Sequence, residues 1–146
     1  MVFLLLILPF LLWSAEFEMT DTEWRAHLGR ERYNVMRRKN TEPAYSGAYL
    51  DEERAGTYVC AACTHPLFFS QDKYSERGSG WPLFKQAAHS KYVVYKEDRS
   101  LGFKRYEVLC RKCESHLGHV FNDGPPPKHL RYTINSIALV LIEKNP

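Results

Sequence analysis

Val59-Cys60-Ala61-Ala62-Cys63-Thr64 and Leu109-Cys110-Arg111-Lys112-Cys113-Glu114 hold all four cysteines of the chain, as two C-x-x-C pairs. Each pair lies at or just past the end of a run that reads as a strand. A C-x-x-C knuckle lets two thiolates converge on one tetrahedral ion at about 2.3 Å, and two knuckles complete a closed structural zinc site. Such a site ties an early loop to a late one and adds its binding free energy to folding. Two disulfides are the main competing reading and would suit an exported protein. A thioredoxin-like redox pair needs a βαβ context that this sequence lacks. A short zinc ribbon needs a spacer of roughly 15–20 residues between its pairs, far less than the stretch from Cys63 to Cys110. The favoured reading is one structural zinc ion held by Cys60, Cys63, Cys110 and Cys113. If the ion takes all four thiolates, no free thiol remains.

Around the knuckles the pattern is β-like from Gly56 onward, with short apolar or alternating runs separated by Gly, Pro, Asn and Asp. Candidate strands are 57–60, 67–70, 91–97, 103–110, 130–134 and 137–142. The continuous apolar run from Ile137 to Ile142 predicts a strand covered on both faces. Asp123-Gly124-Pro125-Pro126-Pro127 cannot continue a strand interior, because proline lacks the donor and fixes φ; it predicts an exposed, stiff loop. Upstream, Thr20-Asp21-Thr22-Glu23 matches a capping box that opens a helix ending at Gly29. Residues 31–39 read as a second short helix with Tyr33 and Met36 on one side. There is no internal repeat and no linker that would divide the core, so residues 19–146 are expected to form one domain.

Val2 to Trp13 is almost wholly apolar and is followed by Ser14-Ala15. Its length suits the apolar core of a secretory signal and is short for a spanning helix. No Lys or Arg precedes the run, and Trp13 fits the small-residue rule near a cleavage point poorly. A translation start at Met19 is the alternative. Residues 1–18 are therefore set aside from the fold. A signal would mean an exported or periplasmic protein, and a start at Met19 a cytoplasmic one; neither leaves a stable membrane span.

The 146 residues are 45% hydrophobic and 14% aromatic, enough for a core. A net charge of +3 is small, and nucleic-acid binding normally shows a larger, clustered basic excess. The one basic run, Arg37-Arg38-Lys39, reads as the solvated end of a helix near its carbonyl pole.

Three polar segments interrupt the strands. Ser79-Gly80-Trp81-Pro82 puts an indole on a tight turn. His116-Leu117-Gly118-His119 places two imidazoles just after the second knuckle. In Arg131-Tyr132-Thr133-Ile134-Asn135 the alternation puts a cation, a hydroxyl and an amide on one strand face, with Tyr132 and Ile134 on the other. Singly, each has a plainer reading: a core tryptophan, surface or metal-ligating histidines, a strand facing water.

Together the segments resemble one family closely. Gly56-Thr57-Tyr58 leading into Cys60-x-x-Cys63 and then Pro66-Leu67-Phe68 is similar to the first zinc knuckle of methionine-R-sulfoxide reductases of the MsrB type. Ser79-Gly80-Trp81-Pro82, Cys110-x-x-Cys113, His116-Leu117-Gly118-His119-Val120-Phe121, Asp123-Gly124-Pro125 and Arg131-Tyr132-x-Ile134-Asn135-Ser136 follow in the family's order. The resemblance covers roughly residues 20–142. It implies a mainly β fold of two antiparallel sheets with short N-terminal helices and a structural zinc knuckle pair. It also implies thiol-dependent reduction of protein-bound methionine (R)-sulfoxide, with a thioredoxin-like reductant, by a monomer. Trp81 would receive the substrate's methyl group, with Phe121 adding apolar wall. His116 and His119 would sit around the sulfoxide oxygen, and Arg131 and Asn135 would orient and polarise the reacting centre.

The nucleophilic cysteine of the family corresponds here to Thr133. A thiol titrates near pH 8.5 and can be tuned lower, whereas a threonine hydroxyl is hindered, ionises far less readily and cannot form a sulfenic acid. Where many relatives keep a recycling cysteine the chain has Gly78, Ser79 and Gly80, and Leu83 stands where the family commonly has serine. The expectation is a poorly active or inactive reductase, with a non-catalytic module that binds oxidised methionine as the alternative.

Overall fold

The computed structural model describes residues 17–145, and the apolar run from Val2 to Trp13 lies outside them. Thr20 caps the first helix, α1 (Asp21–Leu28), accepting a hydrogen bond from the Glu23 N–H at 3.2 Å. Gly29 closes α1 with φ 73° and leads directly into α2 (Arg30–Met36). Trp24 and Leu28 from α1 and Tyr33 and Met36 from α2 are buried in the core. Arg37 follows α2, stacks its guanidinium 4.2 Å from the centre of the Trp24 ring and donates to the Cys113 carbonyl at 2.9 Å. The helix pair is thus fastened to the second knuckle.

The remaining chain forms β1 (Gly56–Cys60), β2 (Pro66–Phe69), β3 (Lys73–Tyr74), β4 (Leu83–Phe84), β5 (Val93–Asp98), β6 (Arg105–Cys110), β7 (His116–Phe121), β8 (Arg131–Ile134) and β9 (Leu139–Glu143). They make two sheets, of order β2-β1-β9 and β3-β4-β8-β7-β6-β5. Every pairing is antiparallel. This is the mainly β, two-sheet fold that the resemblance implies.

Aromatic rings fill the space between the sheets. Phe68 stacks on Phe84 at 4.5 Å between centroids, and Tyr58 and Tyr132 meet these rings edge-on at 5.2 and 5.6 Å. Tyr58, Phe68 and Phe84 are fully buried, each removing about 150 Å² or more from water. Burial also pushes the Tyr58 hydroxyl up to about 12.

Two expectations need correction. Residues 136–138 are a 3-10 turn, and the strand that follows, β9, is an edge strand of the smaller sheet with Ile142 55% exposed. A continuous apolar run looks the same whether its second face is covered or not. β7 was missing from the sequence reading, because its two histidines and a glycine break the apolar signal. The prolines from Pro125 to Pro127 lie outside any strand, and Pro126 and Pro127 are exposed.

Candidate active site and metal centre

The two knuckles are the same local turn used twice. Cys60 N–H donates to His65 O and Thr64 N–H to Cys60 O; Cys110 N–H donates to Ser115 O and Glu114 N–H to Cys110 O, all between 2.8 and 3.0 Å. Thr64 and Glu114 both take the left-handed backbone, with φ 65° and 58°, that turns each chain back on itself. Four sulfur atoms converge as a result, all within 4.8 Å of one another and all buried. Four thiolates at about 2.3 Å from a tetrahedral ion stand about 3.8 Å apart. Cys60 and Cys113 are 3.7 Å apart and Cys63 and Cys110 3.5 Å, matching an ion and not a disulfide. The cluster can hold a metal.

The second site is a row of side chains running across the larger sheet. Tyr74, Leu83, Thr133, His119, Glu107 and Lys96 are successive cross-strand partners from β3 to β5. Directly paired residues share a face. Two residues along, Arg131 pairs with Phe121 and Arg105 with Asp98. The opposite face carries Tyr132 and Ile134, buried against the aromatic core. Thr133 and Leu83, two of the departures from the family pattern, are therefore side by side.

In an ideal strand His116 and His119 would point to opposite faces. Here the pairing register shifts: Val108 opposes Gly118, but Leu109 opposes His116, so Leu117 is an extra residue in β7. This bulge turns His116 onto the His119 face, and the two rings meet edge-on at 5.4 Å. Gly118 leaves no room for a side chain between β7 and β8, since a Cβ there would fall 2.0 Å from the Thr133 carbonyl oxygen.

Over this face lies a cavity of about 450 Å³ lined by Trp81, His119, Phe121, Arg131, Thr133 and Asn135, together with Thr41, Glu76, Arg77 and Arg105. Six of the seven sequence-selected site residues thus share one wall. The seventh, His116, is 2% exposed and lies behind it. Its Nδ1 is 2.6 Å from Glu107 Oε2, while its Nε2 is buried without a partner. Burial pushes the Glu107 carboxyl up, but His116 and Lys39 outweigh it and leave the group below its ordinary value.

Arg131 organises the floor. It forms a two-point bridge to Asp123, at 2.8 and 3.0 Å, and donates to Thr133 Oγ1 at 3.0 Å. Its guanidinium also covers the Phe121 ring at 4.4 Å. Asp123 is held below the usual carboxylate range by that bridge. His119 Nε2 is 2.8 Å from Asp98 Oδ2, which Arg105 also reaches at 3.0 Å. Burial draws His119 below the ordinary imidazole value despite the pull of Asp98, so at neutral pH the pocket presents an uncharged imidazole together with the guanidinium groups of Arg77, Arg105 and Arg131. Sequence reasoning missed Asp98, Arg105 and Glu107. They sit in a plain alternating hairpin, and only strand register brings them to the histidines.

Residues 28–143 match the model of the SelR domain. The chain is 48% identical over 126 residues to a peptide methionine sulfoxide reductase MsrB from Thiobacillus denitrificans, covering 86% of this chain and 95% of that one. It is 50% identical over 124 residues to a protein of the same name from Leptospira interrogans, covering 85% and 94%. A third, from Herminiimonas arsenicoxydans, is 50% identical over 120 residues, covering 82% and 87%.

Proposed function

The chain belongs to the SelR-domain family of MsrB-type methionine sulfoxide reductases, and from that premise we propose that it accepts a methionine (R)-sulfoxide side chain of a protein or peptide but turns it over poorly or not at all by the thiol route. The observation that carries the proposal is the pairing of an intact pocket with Thr133 at the nucleophile position, in a chain whose four cysteines all converge on the metal centre.

Reduction of a sulfoxide to a sulfide removes one oxygen as water and consumes two electrons and two protons. In the family a cysteine supplies the electrons: its thiolate attacks the sulfoxide sulfur, methionine leaves, and a sulfenic acid remains to be reduced by another thiol. Thr133 has no oxidation state to offer, and the guanidinium of Arg131 already occupies its hydroxyl oxygen. The rest of the pocket suits the substrate. Trp81 and Phe121 offer apolar surface to a methyl group. Arg131 and Asn135 offer donors to the sulfoxide oxygen, and His119 can pass a proton to it. His116, bound to Glu107, supports His119 from behind and sets its surroundings.

Cys60, Cys63, Cys110 and Cys113 would hold one structural zinc ion, which supplies folding free energy and closes the core. With all four as ligands, none is available as a nucleophile. Residues 19–146 act as one domain, and a thioredoxin-like reductant is relevant only to a variant with a thiol in the pocket. Among the described residues no helix is long and apolar enough to cross a membrane.

The intact pocket also favours the second reading, a module that binds oxidised methionine. The experiment is calorimetry with a methionine-(R)-sulfoxide peptide beside a dithiothreitol-driven reductase assay on the same zinc-loaded protein. Binding without turnover is the expected result. Turnover at ordinary enzyme rates, about 1 per second or faster, would refute the proposal.

A further inference from the structure

Between α2 and β1 the chain runs without regular structure, and within that stretch Glu42 is the charged residue that is buried, 6% exposed. The backbone N–H of Glu42 donates to Asn135 Oδ1 at 2.9 Å. Its carbonyl accepts the Trp81 Nε1–H at 3.1 Å. Its side chain reaches the 3-10 turn between β8 and β9, where Oε1 accepts the Ile137 N–H at 2.8 Å. The carboxylate passes over Gly47, where a Cβ would lie 2.4 Å from Glu42 Oε2 and 2.2 Å from Ser136 Oγ. One residue before Glu42, Thr41 lines the pocket; two residues after Pro43, the Tyr45 N–H donates to the Gly80 carbonyl at 2.8 Å.

We propose that Glu42 is the positioning residue of the pocket. The buried carboxylate anchors this segment to the β8–β9 connection, so that the backbone of the same residue holds Trp81 and Asn135 together. The inference rests on the substrate reading above and explains how the pocket tells a sulfoxide from other groups. An indole has one polar hydrogen, and here the Glu42 carbonyl consumes it, so what Trp81 offers the cavity is apolar. Asn135 Oδ1 accepts the Glu42 N–H, while Nδ2 donates to the Leu117 carbonyl at 3.0 Å. The amide is thereby fixed in one orientation, with one N–H left to donate. A methyl next to an oxygen that only accepts is the group that fits an apolar ring next to a donor. Neither Trp81 nor Asn135 holds that state without Glu42.

The test compares Glu42→Ala with Glu42→Gln, which keeps an oxygen for the Ile137 N–H. Three readouts are followed: affinity for the sulfoxide peptide in the natural chain, KM against kcat in the Thr133→Cys protein, and the Trp81 indole N–H resonance, assigned by its loss in Trp81→Phe. Glu42→Ala should weaken binding and raise KM about tenfold or more, the cost of a buried hydrogen-bond anchor, and Glu42→Gln should stay within about threefold. The indole N–H should shift and exchange faster with water in Glu42→Ala and return in Glu42→Gln, with zinc content unchanged in both. Should Glu42→Ala not fold, Glu42→Asp, one methylene short of Ile137, takes its place with the same expected direction. An unmoved indole resonance and unchanged affinity overturn the proposal, as does Glu42→Gln behaving like Glu42→Ala. If the natural chain binds no sulfoxide peptide, the substrate reading fails instead, and the indole resonance alone then decides the role of Glu42.

Discussion

The cysteine cluster and the pocket are built on largely different strands of one fold and differ in how completely they match the family pattern. At the ends of β1 and β6 all four cysteines that could hold a metal ion are present, and the two turns repeat each other hydrogen bond for hydrogen bond. On the face of β7 and β8 the side chains that match the family motifs line one cavity, but the position proposed for the nucleophile and its cross-strand neighbour are Thr133 and Leu83. Losing a metal ligand exposes the whole domain to unfolding. Losing a nucleophile costs the fold nothing, because a half-buried threonine on a strand is a good β residue. If the proposed reading holds, the difference teaches that the architecture of a site can outlast its chemistry.

The largest effect that could break this contrast comes from the metal. A structural Cys₄ zinc contributes an apparent 10–16 kcal/mol, roughly, against a typical domain stability of about 5–15 kcal/mol. Chelation, or Cys110→Ser, should therefore unfold the chain, as read by loss of near-ultraviolet circular dichroism. A native spectrum in metal-free protein would remove the distinction between the two regions.

Next comes the pocket itself. Thr133→Cys should raise dithiothreitol-dependent sulfoxide reduction by about a hundredfold or more over the natural chain, worth roughly 2.7 kcal/mol of barrier. Adding Leu83→Ser should raise it further, since the two side chains are direct neighbours. A folded, zinc-loaded Thr133→Cys protein with no activity would show that the wall has lost its function as well.

A smaller effect sharpens the boundary between the regions. Gly118→Ala places a methyl group against the Thr133 carbonyl and should destabilise the protein by about 2–3 kcal/mol, as overpacking does. Denaturant titration would measure it, and the zinc content should not change.

The smallest effect is a pH dependence. His119 has a folded-state value below its ordinary 6.5, so the unfolded chain takes up its proton first as pH falls. The stability it contributes is present above pH 6.5 and is lost as pH drops through the folded value. Relative to His119→Gln, the parent should weaken between pH 7.5 and 5.5 by a fraction of the Gly118→Ala effect. A parent that gained on the variant over that range would reverse the assigned direction.

What the sequence revealed and what it concealed divide along a physical line. Capping at Thr20, the paired knuckles and the alternation of Arg131, Thr133 and Asn135 depend on residues a few positions apart, and all were legible. The bulge at Leu117 was not, because it exists only relative to β6, and without it His116 would face the core. Nor was β9 as an edge strand, since coverage depends on which strand lies alongside. Glu42 was invisible for the same reason: its partners Trp81, Asn135 and Ile137 are distant in the chain. Motifs mark the residues that react, while the ones that hold them in place are scattered.

The separation of the two knuckles has a consequence for how this chain can change. Cys63 and Cys110 lie 47 residues apart, and the intervening stretch includes the exposed turn from Arg99 to Lys104, with Gly102 at φ 84°. The entropy of closing a loop rises only with the logarithm of its length, so about five extra residues at that turn, whose ends Asp98 and Arg105 hold, would cost on the order of 0.5 kcal/mol. Once an ion clasps the base, the tip is free to lengthen. Insertions between Gly102 and Lys104 should therefore be tolerated, giving later sequence a place to grow beside the pocket without loosening what holds the two sheets together.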